Sequence, residues 1–220
     1  MELIPDLTER VTAATDFMMA VVAFIGVIQF RREQDKSTWK VNLWTAIYVL
    51  FIIAATLGTL HHGLSLSPSA YESSWLAILL TLGIMVGLFV VALIYDLFGK
   101  KTANAGLPVM ILIALAFFGY SWSQGQDYSL FLMYEALALL SAMLGYAYLA
   151  LRQVPGSLAM ATGVFITIVA AIVQATKALS YTIIVPFDHN ANYHLIQIVA
   201  ILFLTSGIKQ SIRQQPAQAQ

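Results

Sequence analysis

Seven long apolar runs restrict what this chain can fold into more than any other feature of its sequence. The runs are continuous rather than alternating, and most are close to the roughly 20 residues that a helix needs to cross a bilayer. Charged residues make up only 10% of the 220 residues, against about 25% in a soluble domain. The sequence therefore predicts an all-α bundle of seven transmembrane helices, with the runs at residues 11–30, 41–62, 75–95, 107–121, 129–151, 157–183 and 191–208.

The distribution of Lys and Arg predicts how the bundle is oriented, because positive residues in short loops mark the cytoplasmic side. These residues gather in alternate connections and near the C-terminus, which predicts an outside N-terminus and a cytoplasmic C-terminus. We expect residues 1–212 to form a single domain and residues 213–220 to form a polar, flexible cytoplasmic tail. The charges assigned to the cytoplasmic side are Arg31, Arg32, Lys36, Lys40, Lys100, Lys101, Arg152, Lys209 and Arg213.

Overall charge and cysteine content exclude several classes of function. Eleven Lys and Arg residues balance eleven Asp and Glu residues, so no net field favours nucleic acid as a partner. The chain has no cysteine, which excludes disulfides, thiolate metal sites and cysteine nucleophiles. Any metal would therefore be bound by histidine and carboxylate side chains.

Gly83 and Gly87 form a G-x-x-x-G pattern in the third span. This pattern predicts close helix packing and offers a face for a homodimer.

Ionisable residues inside the predicted spans cluster at one depth. Each costs a few kcal/mol near the bilayer centre, so its position is informative about function. All four histidines and three charged residues fall in the outer half of the spans. Asp96, beside two lysines at the cytoplasmic boundary, is expected to be interfacial. The outer cluster consists of Asp16, His61, His62, Glu135, Lys177, His189 and His194.

Helical spacing indicates which of these side chains face the bundle interior. His62 lies three residues after a threonine and is expected to face inward, whereas His61, about 100° away, is expected at the rim. His189 and His194 are five residues apart and converge only if His189 precedes the helix. Polar residues on the same faces are Thr8, Thr12 and Thr15 beside Asp16, Gln174 and Tyr181 with Lys177, and Asn190 and Gln197 with His194.

This set of residues has the composition of a catalytic zinc site, in which three protein ligands leave one position open for water. The candidate ligands are His62, His189 and His194, with His61 as the alternative from the second span. A neighbouring carboxylate, Asp16 or Glu135, would act as general base. Lys177 would hold a substrate headgroup or polarise a carbonyl. A site at this depth favours an amphipathic membrane lipid as substrate.

Other functions use the same residues without a metal. A buried ion pair of Lys177 with a carboxylate and hydrogen bonds between helices would make the cluster structural. A lipid or small-molecule sensor, or a proton-coupled carrier, would use the cluster for ligand binding or proton transfer. A retinal protein requires a Schiff-base lysine in the seventh span, and residues 191–208 contain none.

Three short segments resemble a known family. They are similar to an uncharacterised family of small bacterial seven-span membrane proteins, itself distantly similar to the CREST superfamily of membrane metal hydrolases, which includes alkaline ceramidases and adiponectin-type receptors. The resemblance implies a hydrolase in the bacterial cytoplasmic membrane with its site facing the periplasm. It also implies a zinc ion held by one histidine of the second span and two of the seventh. The segments are Ala14-Thr15-Asp16, Gly58-Thr59-Leu60-His61-His62-Gly63 and residues 189–197, HNANYHLIQ.

The chain departs from the ceramidase pattern at three points. The family serine of the second span would fall at Leu57 or Gly58. The third span opens without an aspartate, and the seventh carries H-x4-H where the superfamily has H-x3-H. The residues to which the family role transfers are His62 or His61 and His194, with His189 dependent on local geometry.

Overall fold

A computed structural model describes residues 2–33, 38–125 and 128–213 and confirms the predicted all-α architecture. Seven helices in this part of the chain are long and apolar enough to cross a membrane, which is the architecture of a multi-pass membrane protein. The predicted tail is only partly within the described residues, because Arg213 is the last residue of the last helix and residues 214–220 lie outside them. The helices are α1 (Leu7–Arg31), α2 (Thr38–Gly63), α3 (Pro68–Phe98), α4 (Lys100–Ser123), α5 (Tyr128–Leu151), α6 (Ser157–Thr176) and α7 (His189–Arg213).

Six of the helices form a closed ring. Around the ring, α1 packs on α2, α2 on α3, α3 on α5, α5 on α6, α6 on α7, and α7 on α1. Helix α4 lies outside the ring and packs mainly on α3. Gly83 and Gly87 face α4, and a Cβ at Gly87 would lie 3.1 Å from the carbonyl oxygen of Met110. The G-x-x-x-G pattern is thus used within the chain, and a homodimer stays a prediction.

We call the end of the bundle that holds the start of α1 the outer end, following the predicted orientation, and the opposite end the inner end. The N-terminal segment is fixed at the outer end by backbone pairing with the α2–α3 connection. Ile4 N donates to the carbonyl oxygen of Gly63 at 3.1 Å, and Ser65 N donates to that of Glu2 at 2.9 Å. This pairing holds the start of α1 beside the end of α2.

The sixth helix ends earlier than predicted. Helix α6 stops at Thr176, and Lys177 follows with a left-handed backbone at φ +52°. The chain then forms a short antiparallel hairpin of β1 (Tyr181–Thr182) and β2 (Pro186–Phe187). The prediction of a span through residue 183 was wrong because the helix already ends at the left-handed Lys177, and the apolar residues 183–185 form the turn of the hairpin, where Pro186 disfavours a helical backbone at the residue before it.

The start of α7 is fixed by Asp188. Its Oδ1 accepts a hydrogen bond from Ala191 N at 2.8 Å and another from Thr12 Oγ1 at 3.0 Å, so one carboxylate caps α7 and ties it to α1. His189 is consequently the first residue of the helix. The condition that His189 should precede the helix is not met.

The inner end contains a buried ion pair that the sequence analysis did not predict. Lys40 Nζ lies 2.5 Å from Asp96 Oδ1, and the Tyr146 hydroxyl donates to Asp96 Oδ2 at 3.1 Å. Lys40 is only 2% exposed. Its assignment to a loop was therefore wrong, because α2 begins at Thr38 and places the Lys40 ammonium against Asp96. The interfacial position expected for Asp96 stays a prediction.

Candidate functional site

A polar cavity of about 300 Å³ opens between the helices in the outer half of the bundle. It is the point at which α1, α2 and α7 bring their buried polar residues together. Its polar lining residues come from α1, α2, α7 and the end of α6, and most belong to the cluster predicted from the sequence. They are Asp16, His62, Gln174, Lys177, His189, Asn190, Tyr193 and His194. We refer to this space as the outer cavity.

The orientation of the His194 ring is set by Thr15. The Thr15 hydroxyl donates to the carbonyl oxygen of Thr12 at 2.8 Å and lies 2.9 Å from His194 Nδ1. A hydroxyl has one proton to donate, so at the second contact it is the acceptor. The hydrogen-bond network therefore assigns the proton of a neutral His194 to Nδ1 and leaves a lone pair on Nε2.

This lone pair faces a carboxylate. His194 Nε2 lies 3.4 Å from Asp16 Oδ1, and both side chains are buried. A lone pair and a carboxylate oxygen repel each other at this distance, so the pair needs a proton or a metal cation between or beside them. The arrangement is therefore suited to binding either.

Asp16 has further capacity to bind. Its second oxygen, Oδ2, is buried and has no hydrogen-bond partner among the described residues. The carboxylate packs against the backbone of α2 at Gly58, where a Cβ would lie 2.6 Å from Oδ2. Position 58 thus provides the space for the Asp16 carboxylate.

His62 is oriented by a carboxylate from α1. Its Nδ1 lies 2.6 Å from Glu9 Oε2, and the ring lines the outer cavity. In the described segments its Nε2 makes no hydrogen bond. His62 and His194 thus share one pattern, in which Nδ1 is held by an oxygen and Nε2 is left for another partner. This is the pattern that metal-binding histidines usually show.

His61 belongs to a different environment. The ring is buried rather than lying at an exposed rim, and it packs on Tyr71 with ring centroids 4.0 Å apart. Its Nδ1 lies 2.7 Å from Ser74 Oγ. His61 therefore fastens α2 to α3, and of the two adjacent histidines only His62 lines the outer cavity.

Two further predicted residues reach the outer cavity from the two ends of the α6–α7 connection. Lys177 lines the cavity from the end of α6 rather than from within a span, and His189 lines it from the first residue of α7. The shared helical face predicted for Lys177 and Tyr181 does not exist, because Tyr181 lies in the hairpin. Lys177 brings a positive charge to a space that otherwise contains a carboxylate and imidazoles.

Glu135 is separated from this group. It is 8% exposed and lines a second cavity of about 80 Å³ with Gln197 and Thr167. We call this second space the inner cavity. Phe51 and Tyr193 line both cavities, so the two spaces adjoin there. Of the two carboxylates named as candidate bases, Asp16 alone shares a cavity with His62 and His194.

The donor set of the outer cavity matches a metal site in chemistry, with two imidazole Nε2 atoms and one underused carboxylate. In the part of the chain that the structure describes, no group of three or more His, Asp or Glu side chains is arranged to hold an ion. His194 and Asp16 form an adjacent pair of donors, and His62 faces the same space.

Sequence reasoning missed two functional positions. Glu9 precedes the first predicted span and was not among the predicted site residues, yet it holds His62. Asp188 was not among them either, yet it caps α7 and joins it to α1. The available signal for Glu9 was its spacing of seven residues from Asp16, which places both on one face of a helix.

Comparison with curated proteins finds no match, and comparison with solved structures finds none either. A family model, in contrast, matches residues 11–213, which include all seven helices almost completely. The match contains Asp16, His62, Lys177 and His194, and so covers most of the outer cavity. The chain therefore belongs to the family of unknown function DUF6962.

Proposed function

We propose that this chain is a metal-dependent hydrolase of the bacterial cytoplasmic membrane that cleaves an amide or ester bond of a membrane lipid in the outer cavity. The observation that carries the proposal is the lone pair of His194 Nε2, which faces Asp16 Oδ1 at 3.4 Å. Two buried acceptors in this position are suited to a shared cation. The free Nε2 of His62 on the same cavity supplies a further donor.

The metal would be held by His194 and His62, with Asp16 beside them, and the donor types favour zinc. Zinc, when bound, supplies Lewis acidity toward a carbonyl oxygen and toward water. Thr15 and Glu9 fix the two imidazoles through Nδ1, which lowers the cost of orienting them. Such partners typically change metal affinity 10–100-fold when removed.

The remaining residues have roles in proton transfer and substrate binding. Asp16 Oδ2, which lacks a partner within the described residues, accepts the proton of the attacking water and returns it to the departing amine or alcohol. Lys177 binds an anionic or carbonyl oxygen of the substrate headgroup at the cavity wall. His189 lines the wall beside it as an additional hydrogen-bonding group.

The test is metal content by mass spectrometry on detergent-purified protein, comparing the wild type with His62→Ala and His194→Ala. We expect about one zinc per chain, lost in both variants. His61→Ala is the matched control, because it removes the adjacent imidazole, which does not line the cavity, and zinc should be retained. A folded wild-type protein without metal, as checked by thermal melting, would refute the proposed mechanism.

A second candidate function rests on the same pair of atoms. A proton satisfies His194 Nε2 and Asp16 Oδ1 as well as a cation does, which supports a small-molecule or lipid sensor or a proton-coupled carrier. This candidate predicts ligand binding that depends on pH and is unchanged by a chelator. Binding that disappears with the chelator would favour the hydrolase.

A further inference from the structure

The inner cavity continues from the outer cavity toward the inner end of the bundle. Along α7 it is lined from Tyr193 to Leu204, which corresponds to about 16 Å at the rise of an α-helix. Along α2 it is lined from Phe51 to Trp44, toward the inner end of the bundle. Its wall is made mainly of aliphatic and aromatic side chains, a surface that suits a hydrocarbon chain.

Polar groups occur at the outer end of this cavity. Glu135 and Gln197 supply oxygen acceptors there, and Gln197 Oε1 is buried without a partner among the described residues. The hydroxyl of Thr167, which lines the same cavity, donates to the carbonyl oxygen of Gly163 at 3.1 Å. It therefore has no proton left for either acceptor. The outer end of the inner cavity thus has three oxygen acceptors, two on Glu135 and one on Gln197, against the single NH2 donor group of Gln197.

The two cavities meet where these acceptors lie. Gln197 follows His194 by three residues on the same face of α7, and Phe51 and Tyr193 border both spaces. A molecule that reaches from one cavity to the other passes His194 first, then Gln197 and Glu135, and then a mainly apolar wall that ends at Trp44, whose buried Nε1 has no partner among the described residues.

We propose that the two cavities together bind a single-chain amphiphile, with its head in the outer cavity, a hydroxyl or amide N–H on Glu135 and Gln197, and one alkyl chain in the inner cavity. This inference rests on the proposed function only in taking the outer cavity as the place where the head binds. It adds the substrate class, a lipid with one chain and a hydrogen-bond donor next to the head.

The inner cavity also sets a limit on chain length. Each methylene that enters an apolar site raises affinity about fourfold, and this gain ends where the cavity ends. Trp44 marks that end and is only 1% exposed, so bilayer or detergent chains do not reach its ring from outside. Trp44 can therefore report the arrival of a chain terminus.

The experiment measures quenching of Trp44 fluorescence by ω-bromo-1-alkanols of increasing length in detergent-purified full-length protein. The other three tryptophans, Trp39, Trp75 and Trp122, are replaced by Phe, and folding is checked by thermal melting. We expect quenching to rise with chain length, to be greatest for chains of octyl to dodecyl length, and to fall for hexadecyl. A length profile that is flat, or that rises without a maximum, would overturn the proposal.

A pair of substitutions on α5 separates the cavity from the surrounding detergent. Ala138 lines the inner cavity one turn beyond Glu135, whereas Ala136 is exposed on the outside of the same helix. Ala138→Leu should reduce quenching at least tenfold, and Ala136→Leu should leave it unchanged. Equal quenching in both variants would show that the probes act through the detergent and would overturn the proposal.

The hydrogen-bond donor is tested with the methyl ethers of the same ω-bromoalkanols, which retain the chain and lose the O–H group. We expect the ethers to bind at least tenfold more weakly than the alcohols to protein with Glu135 and Gln197 intact. Equal binding would overturn the role of the two acceptors. If the single-tryptophan variant does not fold, native mass spectrometry of the wild type compares the binding of 1-decanol with that of its methyl ether.

The outcome for the chain is separate from the outcome for the metal. Binding of the chain by a protein that holds no zinc would refute the hydrolase and leave this inference standing.

Discussion

Replacing Gly58 with Ala inserts a methyl group at the point where α2 meets the Asp16 carboxylate. The added Cβ would lie 2.6 Å from Oδ2 and 2.9 Å from both Cγ and Oδ1. Ordinary van der Waals contact begins at 3.4 Å, so the carboxylate must move by about 0.8 Å, the difference between the two distances. The displacement is directed away from α2.

The size of the effect follows from the precision that such sites require. Moving or releasing a group that orients a metal site typically costs 10–100-fold in affinity, or about 1.4 to 2.7 kcal/mol. Stability should change much less, because Ala gains about 1 kcal/mol over Gly inside a helix and thereby offsets part of the packing strain. Gly58→Ala is therefore expected to separate zinc affinity from folding.

The assay is competition for zinc against a chromophoric chelator in detergent, with thermal melting in parallel. Gly63→Ala is the matched control on the same helix, since its Cβ would meet only Ala13 Cβ at 3.3 Å and zinc affinity should stay within about twofold of the wild type. If Gly58→Ala binds zinc as tightly as the wild type while folded, the argument that Asp16 is positioned for a cation fails.

Three further substitutions test individual contacts. Thr15→Val removes the hydroxyl acceptor of the buried His194 N–H and leaves it the backbone carbonyl of Thr12, so it should lower the unfolding free energy by about 1 kcal/mol in a dodecyl sulfate titration. Thr15→Ser should restore most of this loss, and equal losses would contradict the assigned tautomer. Glu9→Gln should lower zinc affinity about tenfold with little change in melting, and an unchanged affinity would remove the orienting role of Glu9. Lys40→Met leaves Asp96 buried without its cation and should cost about 3–5 kcal/mol of unfolding free energy, most of which Lys40→Met with Asp96→Leu should recover. A double variant as unstable as the single one would contradict that explanation.

The seven helices and the depth of the outer cluster could be predicted because both depend on local sequence. Continuous apolar runs give the spans, and a shared distance from the outer boundary gives the cluster. The same local signal failed after Thr176, where Ile183, Ile184 and Val185 have the hydropathy of a span but form the turn of the β1–β2 hairpin. Hydropathy measures affinity for lipid, and it does not distinguish a helix from a hairpin at the membrane surface.

The partners of individual side chains could not be predicted, because they depend on the rotation and register of neighbouring helices. His61 and His62 differ by about 100° on α2, and only the packing of α1 and α3 on either side assigns one to the cavity and the other to an interhelical contact. Lys40 and Asp96 lie at similar distances from the short α2–α3 connection, so their pairing was detectable in principle. It was missed because Lys40 was counted as a loop charge.

Three carboxylates within the bundle separate structural roles from functional ones. Asp96 receives an ammonium on one oxygen and a phenol on the other, so the protein itself satisfies it, and its removal with Lys40 should cost little. Asp16 has an acceptor opposite one oxygen and no partner on the other among the described residues, while Glu135 makes no hydrogen bond to them. Maintaining two such groups in an apolar interior costs stability. That cost is offset only where a cation, a proton or a ligand supplies the missing partner. Function is therefore to be sought in the outer cavity, which holds Asp16, and in the adjoining inner cavity, which holds Glu135, rather than at the Lys40–Asp96 ion pair.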